Sequence, residues 1–188
     1  MDISNLKNDP IKLMQLAKAG SADAFGMIYN LYFTPIYRYI QFRVKNKAEA
    51  EDLTHTVFLK VYQSIGDFRV QNSAPLAYFF TVARNTVINF WRKKKEILPS
   101  DPEELFSKIP SQQKNLQRAA EEKEMTGAVK DLLKELTDDQ QEIIILKFIN
   151  ELSNTEIAQI TGKSEAAIRQ LQFRALKELR VQVKKHGY

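Results

Sequence analysis

Apolar residues recur at helical spacing along nearly the whole chain, and the polar positions between them read as caps and stops rather than as the alternation of strands. The pattern predicts a first helix over Ile11–Ala19, stopped by Gly20 in a left-handed cap. Ser21 opens a second helix, where Phe25, Ile28, Tyr29, Tyr32, Ile36, Tyr37 and Ile40 share one side and Pro35 marks a kink or a break. Asn46 with Glu49 reads as a capping box for a third helix, whose buried stripe is Ala50, Leu53, Val57, Phe58, Val61 and Ile65 and which Gly66 ends. Its opposite face carries Asp52, His55, Thr56, Leu59 and Gln63. After a polar loop over Phe68–Ala74, Pro75 suits the first turn of a fourth helix. That helix turns Phe79, Phe80, Ala83, Val87, Phe90 and Trp91 inward and Thr81, Arg84, Asn85, Ile88, Asn89 and Arg92 outward, and it ends in the basic run Arg92–Lys95.

The character changes over residues 96–124. Pro99, Pro102 and Pro110 punctuate this stretch, and seven acidic residues face four basic ones, so it reads as an acidic linker. A second domain begins near Met125, which leaves residues 1–95 as a first domain and 125–188 as the second. Ala128, Leu132, Leu133 and Leu136 mark one helix there. Thr137 with Gln140 caps the next, which carries Ile143, Ile144, Leu146 and Phe148 and is closed by Asn150. Ser153 with Glu156 is a further capping box, with Leu152 and Ile157 placed as its hydrophobic staple. Gly162 ends that short helix and Ser164 caps the last one. The fold class is therefore all-α, in two small helical domains.

Composition narrows the chemistry. The 188 residues contain no cysteine, which excludes disulfides and cysteine–zinc sites. No apolar run reaches membrane-spanning length, and the N-terminus lacks a signal-peptide pattern, so a cytoplasmic location is expected. His55 and His186 stand far apart in sequence, with no nucleophile triad, metal spacing or phosphate loop, so neither an enzyme nor a metal or other cofactor is expected. The net charge is only +5, but it is concentrated. Between Arg84 and Lys95 every charge is positive, and from Gly162 onward seven basic residues face two acidic ones. Two separate basic places suggest a polyanion partner.

Two segments carry the most chemical information. The run Ser153–Arg180 is a capped helix, a glycine turn and a basic helix, the plan of a helix-turn-helix. In the last helix Ile168, Leu171 and Ala175 face the preceding helix, while Ala166, Arg169, Gln170, Phe173 and Lys177 face away. Arg and Gln can grip base edges and apolar groups can meet thymine methyls. Arg174 and Lys163 flank that face and suit phosphates, with Ser164 at its entry. The plainer alternative is a solvated amphipathic helix. In the fourth helix and its loop, Phe68, Arg69, Gln71, Asn72, Tyr78, Arg84, Asn85, Ile88 and Arg92 combine aromatic, amide and cationic groups, as a single-strand grip requires. Most aromatics there read as core, with Tyr78 and Phe68 kept as candidates for base contact. Leu59 reads either as a lone exposed leucine or as the centre of a partner surface.

Taken together, the chain resembles a bacterial sigma factor of the extracytoplasmic-function group of the sigma-70 family. Asp23–Tyr37 looks like the opening helix of that family's first domain, and Ala50–Leu59 like its polymerase-docking helix. Tyr78–Asn85 looks like its minus-ten helix, and Ile168–Leu176 like its minus-thirty-five helix. The resemblance implies docking on core RNA polymerase, at the clamp helices of the largest subunit through Asp52, His55, Thr56, Leu59 and Gln63, with a further contact to the flap. It also implies melting of promoter DNA and capture of a flipped base in the Phe68–Ala74 loop. Control by an anti-sigma factor is implied as well, and no small-molecule substrate. The docking helix departs from the family at Thr54-His55-Thr56, where an amide and a carboxylate are common, and Tyr78 and Asn89 replace a frequent Trp and Asp.

Overall fold

The computed structural model describes residues 6, 9–69, 74–97 and 118–186. Among them there are helices and no strand, as the periodicity predicts. The helices are α1 (Pro10–Lys18), α2 (Ala22–Gln41), α3 (Lys47–Ser64), α4 (Pro75–Ile97), α5 (Arg118–Lys134), α6 (Asp138–Ile144), α7 (Asn154–Thr161) and α8 (Glu165–His186). None is long and apolar enough to cross a membrane.

Local sequence chemistry sets most of the boundaries. Asp9 caps α1, accepting from the Lys12 amide at 3.0 Å, and Pro10 occupies the first turn. Gly20, at φ +97°, closes α1 in a Schellman motif, where Ser21 N bonds Leu16 O and Gly20 N bonds Ala17 O. Pro35 neither breaks nor ends α2, which runs unbroken through it. The carbonyl it leaves without a donor belongs to Leu31, an exposed residue, so water can satisfy it. The capping box at α3 is only half made. Asn46 accepts from the Glu49 amide at 2.8 Å, but the Glu49 carboxylate turns away to Lys94. The boxes at Thr137/Gln140 and Ser153/Glu156 are complete. After α3, a 3₁₀ turn spans Ile65–Asp67. Helix α4 runs on to Ile97 and α5 begins at Arg118, so both enter the stretch read as linker.

In the N-terminal body α2, α3 and α4 pack around Ile28, Tyr32, Ile36, Phe58, Phe79 and Phe80, with Leu13 and Met14 of α1 closing one side. Ring pairs tie the helices together: Tyr32–Phe79 at 5.0 Å, Phe58–Phe79 at 5.3 Å and Tyr39–Phe80 edge-on at 5.7 Å. The C-terminal body packs Leu133, Leu136, Ile143, Leu146, Ile157, Ile160, Ile168 and Ala175 together.

One part of that core departs from its predicted pattern. Beyond Ile144 the chain widens into a π-helical turn over Ile145–Ile149, closed where the Asn150 amide and its side chain both reach Ile145 O. The wider turn shifts the side-chain register. Ile145 becomes fully buried and Phe148, predicted among the inward residues, is 52% exposed.

The two bodies lie against each other, with α7 resting on α4 and the π turn touching α2. Gly162 sits at φ +71° between α7 and α8, and a Cβ placed there would meet nothing within 4 Å. Gly162→Ala should therefore lower stability by about 1 kcal/mol through backbone strain alone. In urea denaturation this would appear as a lower midpoint with an unchanged slope.

Candidate nucleic-acid and partner interfaces

The outer face of α8 has the make-up its sequence predicts. Ala166, Arg169, Gln170, Phe173, Arg174 and Lys177 are all exposed, and Phe173 keeps 70% of its surface, which is rare for so large an apolar ring. The inner face is anchored, with Ile168 and Ala175 fully buried and Leu171 half-buried. Ser164 caps the helix, its hydroxyl accepting from the Ala167 amide at 3.2 Å. Two side-chain bonds fix the angle between α7 and α8: Thr155 donates to Glu165 at 2.9 Å, and Gln172 donates to Asn154 at 2.9 Å. Arg169 rests on Glu165 at 3.3 Å in an exposed pair. Such pairs are worth about 0–1 kcal/mol, so the guanidinium gives this contact up easily to a better acceptor. Lys163, only part-exposed, is paired with Asp139 at 2.8 Å.

Among the candidates around α4, the structure separates core from surface. Phe68 is 5% exposed, its ring 5.2 Å from that of Tyr78 and its carbonyl accepting from Lys18. It is a core residue here, not an open stacking platform. Tyr78 is half-buried and hydrogen-bonded through its hydroxyl to Ser64 Oγ at 2.8 Å. Arg69, Asn85, Ile88 and Arg92 are exposed. Gln71 and Asn72 lie outside the described residues, as does most of the loop read as the base-capturing element. Within the basic run, Lys94 turns inward, pairs with Glu49 at 2.8 Å and lies over the Phe90 and Trp91 rings, while Arg92, Lys93 and Lys95 face solvent. Between α3 and α4 opens a cleft of about 440 Å³ lined by Lys60, Gln63, Ser64, Asp67, Val82, Asn85 and Thr86. Gln63 and Asn85 were among the sequence candidates, for different roles, and the other five were not. They become a group only when α3 and α4 come together.

Arg84 does not face solvent as its helical position predicts. Its guanidinium Nε reaches both carboxylate oxygens of Glu142, at 3.0 and 3.1 Å, and the Tyr39 hydroxyl donates to the same carboxylate at 3.1 Å. Burial, and then the adjacent Glu142 charge, push the Tyr39 hydroxyl well above the ordinary tyrosine range, so it stays a donor. Sequence reading passed over both partners. The available signal was a glutamate leading directly into the apolar run Ile143–Leu146.

On α3 the outward face holds Asp52, His55, Leu59 and Gln63 exposed and Thr56 half-buried. Thr54, within the departure from the expected motif, is fully buried and donates to Ala50 O at 2.7 Å. Leu59 is not alone. Tyr62, one turn on, is 55% exposed beside Leu59 at 57%, and its ring stands edge-on to Phe25 at 4.9 Å. The two form an apolar centre with Asp52 and Gln63 toward the helix's two ends, the make-up of a protein-docking patch.

Family models match both bodies: one described as Sigma-70 region 2 covers residues 28–97, and one described as Sigma-70, region 4 covers residues 126–179. The chain is 36% identical over 169 residues to the ECF RNA polymerase sigma factor BldN of Streptomyces coelicolor, across 90% of this chain and 64% of that protein. It is 32% identical over 154 residues to the ECF RNA polymerase sigma factor SigM of Bacillus subtilis, across 81% of this chain and 91% of that protein. The chain thus spans just under two thirds of the length of BldN and nearly all of SigM. Two solved structures share the fold. CnrH in complex with the cytosolic domain of CnrY gives a TM-score of 0.74 at 20% identity, over 94% of this chain and 97% of that one. RpoE of Bartonella quintana, in complex with the anti-sigma factor NepR, gives 0.64 at 22% identity, over 85% and 96%.

Proposed function

Because the chain belongs to the extracytoplasmic-function group of the sigma-70 family, we propose that it binds core RNA polymerase and directs it to promoters with particular minus-ten and minus-thirty-five elements. It performs no reaction of its own and works in the cytoplasm. The observation that carries this reading is the outer face of α8, where Arg169, Gln170 and the exposed Phe173 project from a glycine-turned, doubly capped helix pair. In that geometry α8 enters the major groove, Arg169 and Gln170 meet base edges, Phe173 and Ala166 meet apolar groups, and Arg174, Lys177, Lys163 and Ser164 hold phosphates.

The N-terminal domain, residues 1–95, has two tasks in this reading. The α3 patch around Leu59 and Tyr62, with Asp52, His55, Thr56 and Gln63, docks on the clamp helices of the largest polymerase subunit. Aromatic and leucine side chains supply the dry centre, and the polar groups set register. The face of α4, with Arg69, Asn85, Ile88 and Arg92 and the preceding loop with Gln71 and Asn72, grips the melted strand. The cleft between α3 and α4 has room for one extruded base and offers both donors and acceptors, from Lys60, Asp67, Asn85 and Thr86, to its edge. Flipping costs a few kcal/mol of lost stacking, so a preformed cleft beside the strand is what the task requires. Residues 96–124 tether this domain to the DNA-reading domain 125–188, which also meets the polymerase flap. An anti-sigma factor completes the proposed cycle by covering these surfaces.

In vitro transcription with purified core polymerase tests this reading, which predicts specific initiation only when the chain is added. Initiation at no site in a genomic template pool would refute it, and so would tight operator-like duplex binding without polymerase. Arg169→Ala should weaken recognition of particular upstream base pairs by about 1–3 kcal/mol, while Lys184→Ala should alter only the salt dependence. Competition binding of holoenzyme on single-base-substituted promoters measures both. Asp52→Ala and Leu59→Ala should each lower polymerase affinity in a pull-down while leaving the circular dichroism spectrum unchanged.

A further inference from the structure

The cations on the outer face of α8 stand in two different settings. Among the described residues, Arg174 and Lys177 meet no carboxylate, whereas Arg169 donates from Nη1 to Glu165 Oε2 at 3.3 Å. The other oxygen of that carboxylate, Oε1, accepts from the Thr155 hydroxyl at 2.9 Å. Thr155 lies in α7, so Glu165 joins the helix that supports the reader to a side chain that reads. An i,i+4 ion pair on a solvated face is ordinary by itself, and the helix dipole favours a carboxylate in a first turn. Neither accounts for a hydroxyl from another helix meeting the same group.

Thr155 is held in place in its turn. It sits between the two members of the complete Ser153/Glu156 capping box, and its neighbour Asn154 accepts from Gln172 of α8 at 2.9 Å. Thr155, Glu165 and Arg169 thus form a relay from fixed backbone to an exposed guanidinium. Arg169 spends one N–H on Glu165 and keeps the rest of its fork, the group that matches the O6 and N7 edge of guanine. Because an exposed pair is weak, it orients the guanidinium without trapping it. The carboxylate also acts on what may approach. A phosphate brought to Arg169 meets a like charge beside it, while a base edge carries no net charge and is not repelled.

Resting on the promoter-reading function above, we propose that Glu165, anchored by Thr155, is a positioning residue that sets the preference of Arg169. It presents the guanidinium to a guanine of the upstream element and disfavours phosphate as the partner.

Competition binding of holoenzyme on single-base-substituted promoters tests the relay at the base pair where Arg169→Ala loses discrimination. Glu165→Gln and Thr155→Val should each lower the preference for guanine there by about fivefold, the upper range for an exposed pair. In an Arg169→Ala chain neither should cause a further loss, because the effect passes through Arg169. Preferences at base pairs read by other residues should hold. Glu165→Gln should also strengthen binding to unrelated duplex and steepen the salt slope by about one. Thr155→Val keeps both charges and should leave that slope unchanged. Undiminished preference for guanine in both variants would overturn the relay. So would losses that add to that of Arg169→Ala, or a uniform loss at every base pair, which marks a structural role only. If Glu165→Gln loses its helical circular dichroism spectrum, Thr155→Val, which leaves α8 unaltered, carries the same outcomes. An unaltered chain that supports no initiation refutes the promoter-reading function and this inference with it, whereas initiation with unchanged preferences in both variants overturns the relay alone.

Discussion

A carboxylate cannot stay ionised in a dry interface unless its oxygens are occupied, and this requirement at Glu142 organises the whole molecule. Arg84 satisfies both oxygens and Tyr39 adds a donor to one, and those residues come from two different helices of the other body. Any arrangement that kept Glu142 buried without them would leave an uncompensated charge, which is among the costliest faults a packed protein can carry. The relative placement of the two bodies has to meet that constraint together with the apolar contact around it, where α7 rests on α4 and the π turn touches α2. The π turn next to it, over Ile145–Ile149, brings Ile145 into the core and sends Phe148 out, so the same short stretch provides both the buried charge and the apolar floor beneath it.

A similar logic divides the functional faces. Groups meant for nucleic acid or protein partners are held in weak, exposed contacts that cost little to give up. Arg169 leans on Glu165 at the surface, and Leu59 and Tyr62 remain open on α3. Groups that build the scaffold are committed elsewhere. Lys94 is drawn from the basic run onto Glu49 and two rings, Phe68 is packed against Tyr78, and Thr54 is turned into the core with its hydroxyl on Ala50 O. Side chains of the same type thus serve different ends according to whether their polar atoms already have a partner.

Much of this was legible without coordinates. The caps at Ser21, Thr137, Ser153 and Ser164 and the left-handed turns at Gly20 and Gly162 act within a few residues, so they can be read from local spacing. The buried stripes of α3, α4 and α8 were legible for the same reason, since helical periodicity is a local property. Where reading by spacing failed, a long-range partner had taken over. Glu49 was expected to complete a cap and instead pairs with a lysine 45 positions away. Arg84 was expected to face outward and instead meets a glutamate 58 positions away. Phe148 fell on the wrong side because a π turn changes the angular step that the prediction assumed.

The amino-acid sequence by itself determined that the chain is helical, where its helices start and stop, and which α8 and α3 residues face away from the core. Each of these follows from backbone capping and periodicity over one or two turns. Tertiary structure alone decided that the two bodies close on each other, that Tyr39, Arg84 and Glu142 form one cluster, and that Leu59 shares its patch with a tyrosine whose ring rests on α2. These depend on which distant surfaces meet, and so on burying charge and apolar area together, a condition that no local window of sequence contains.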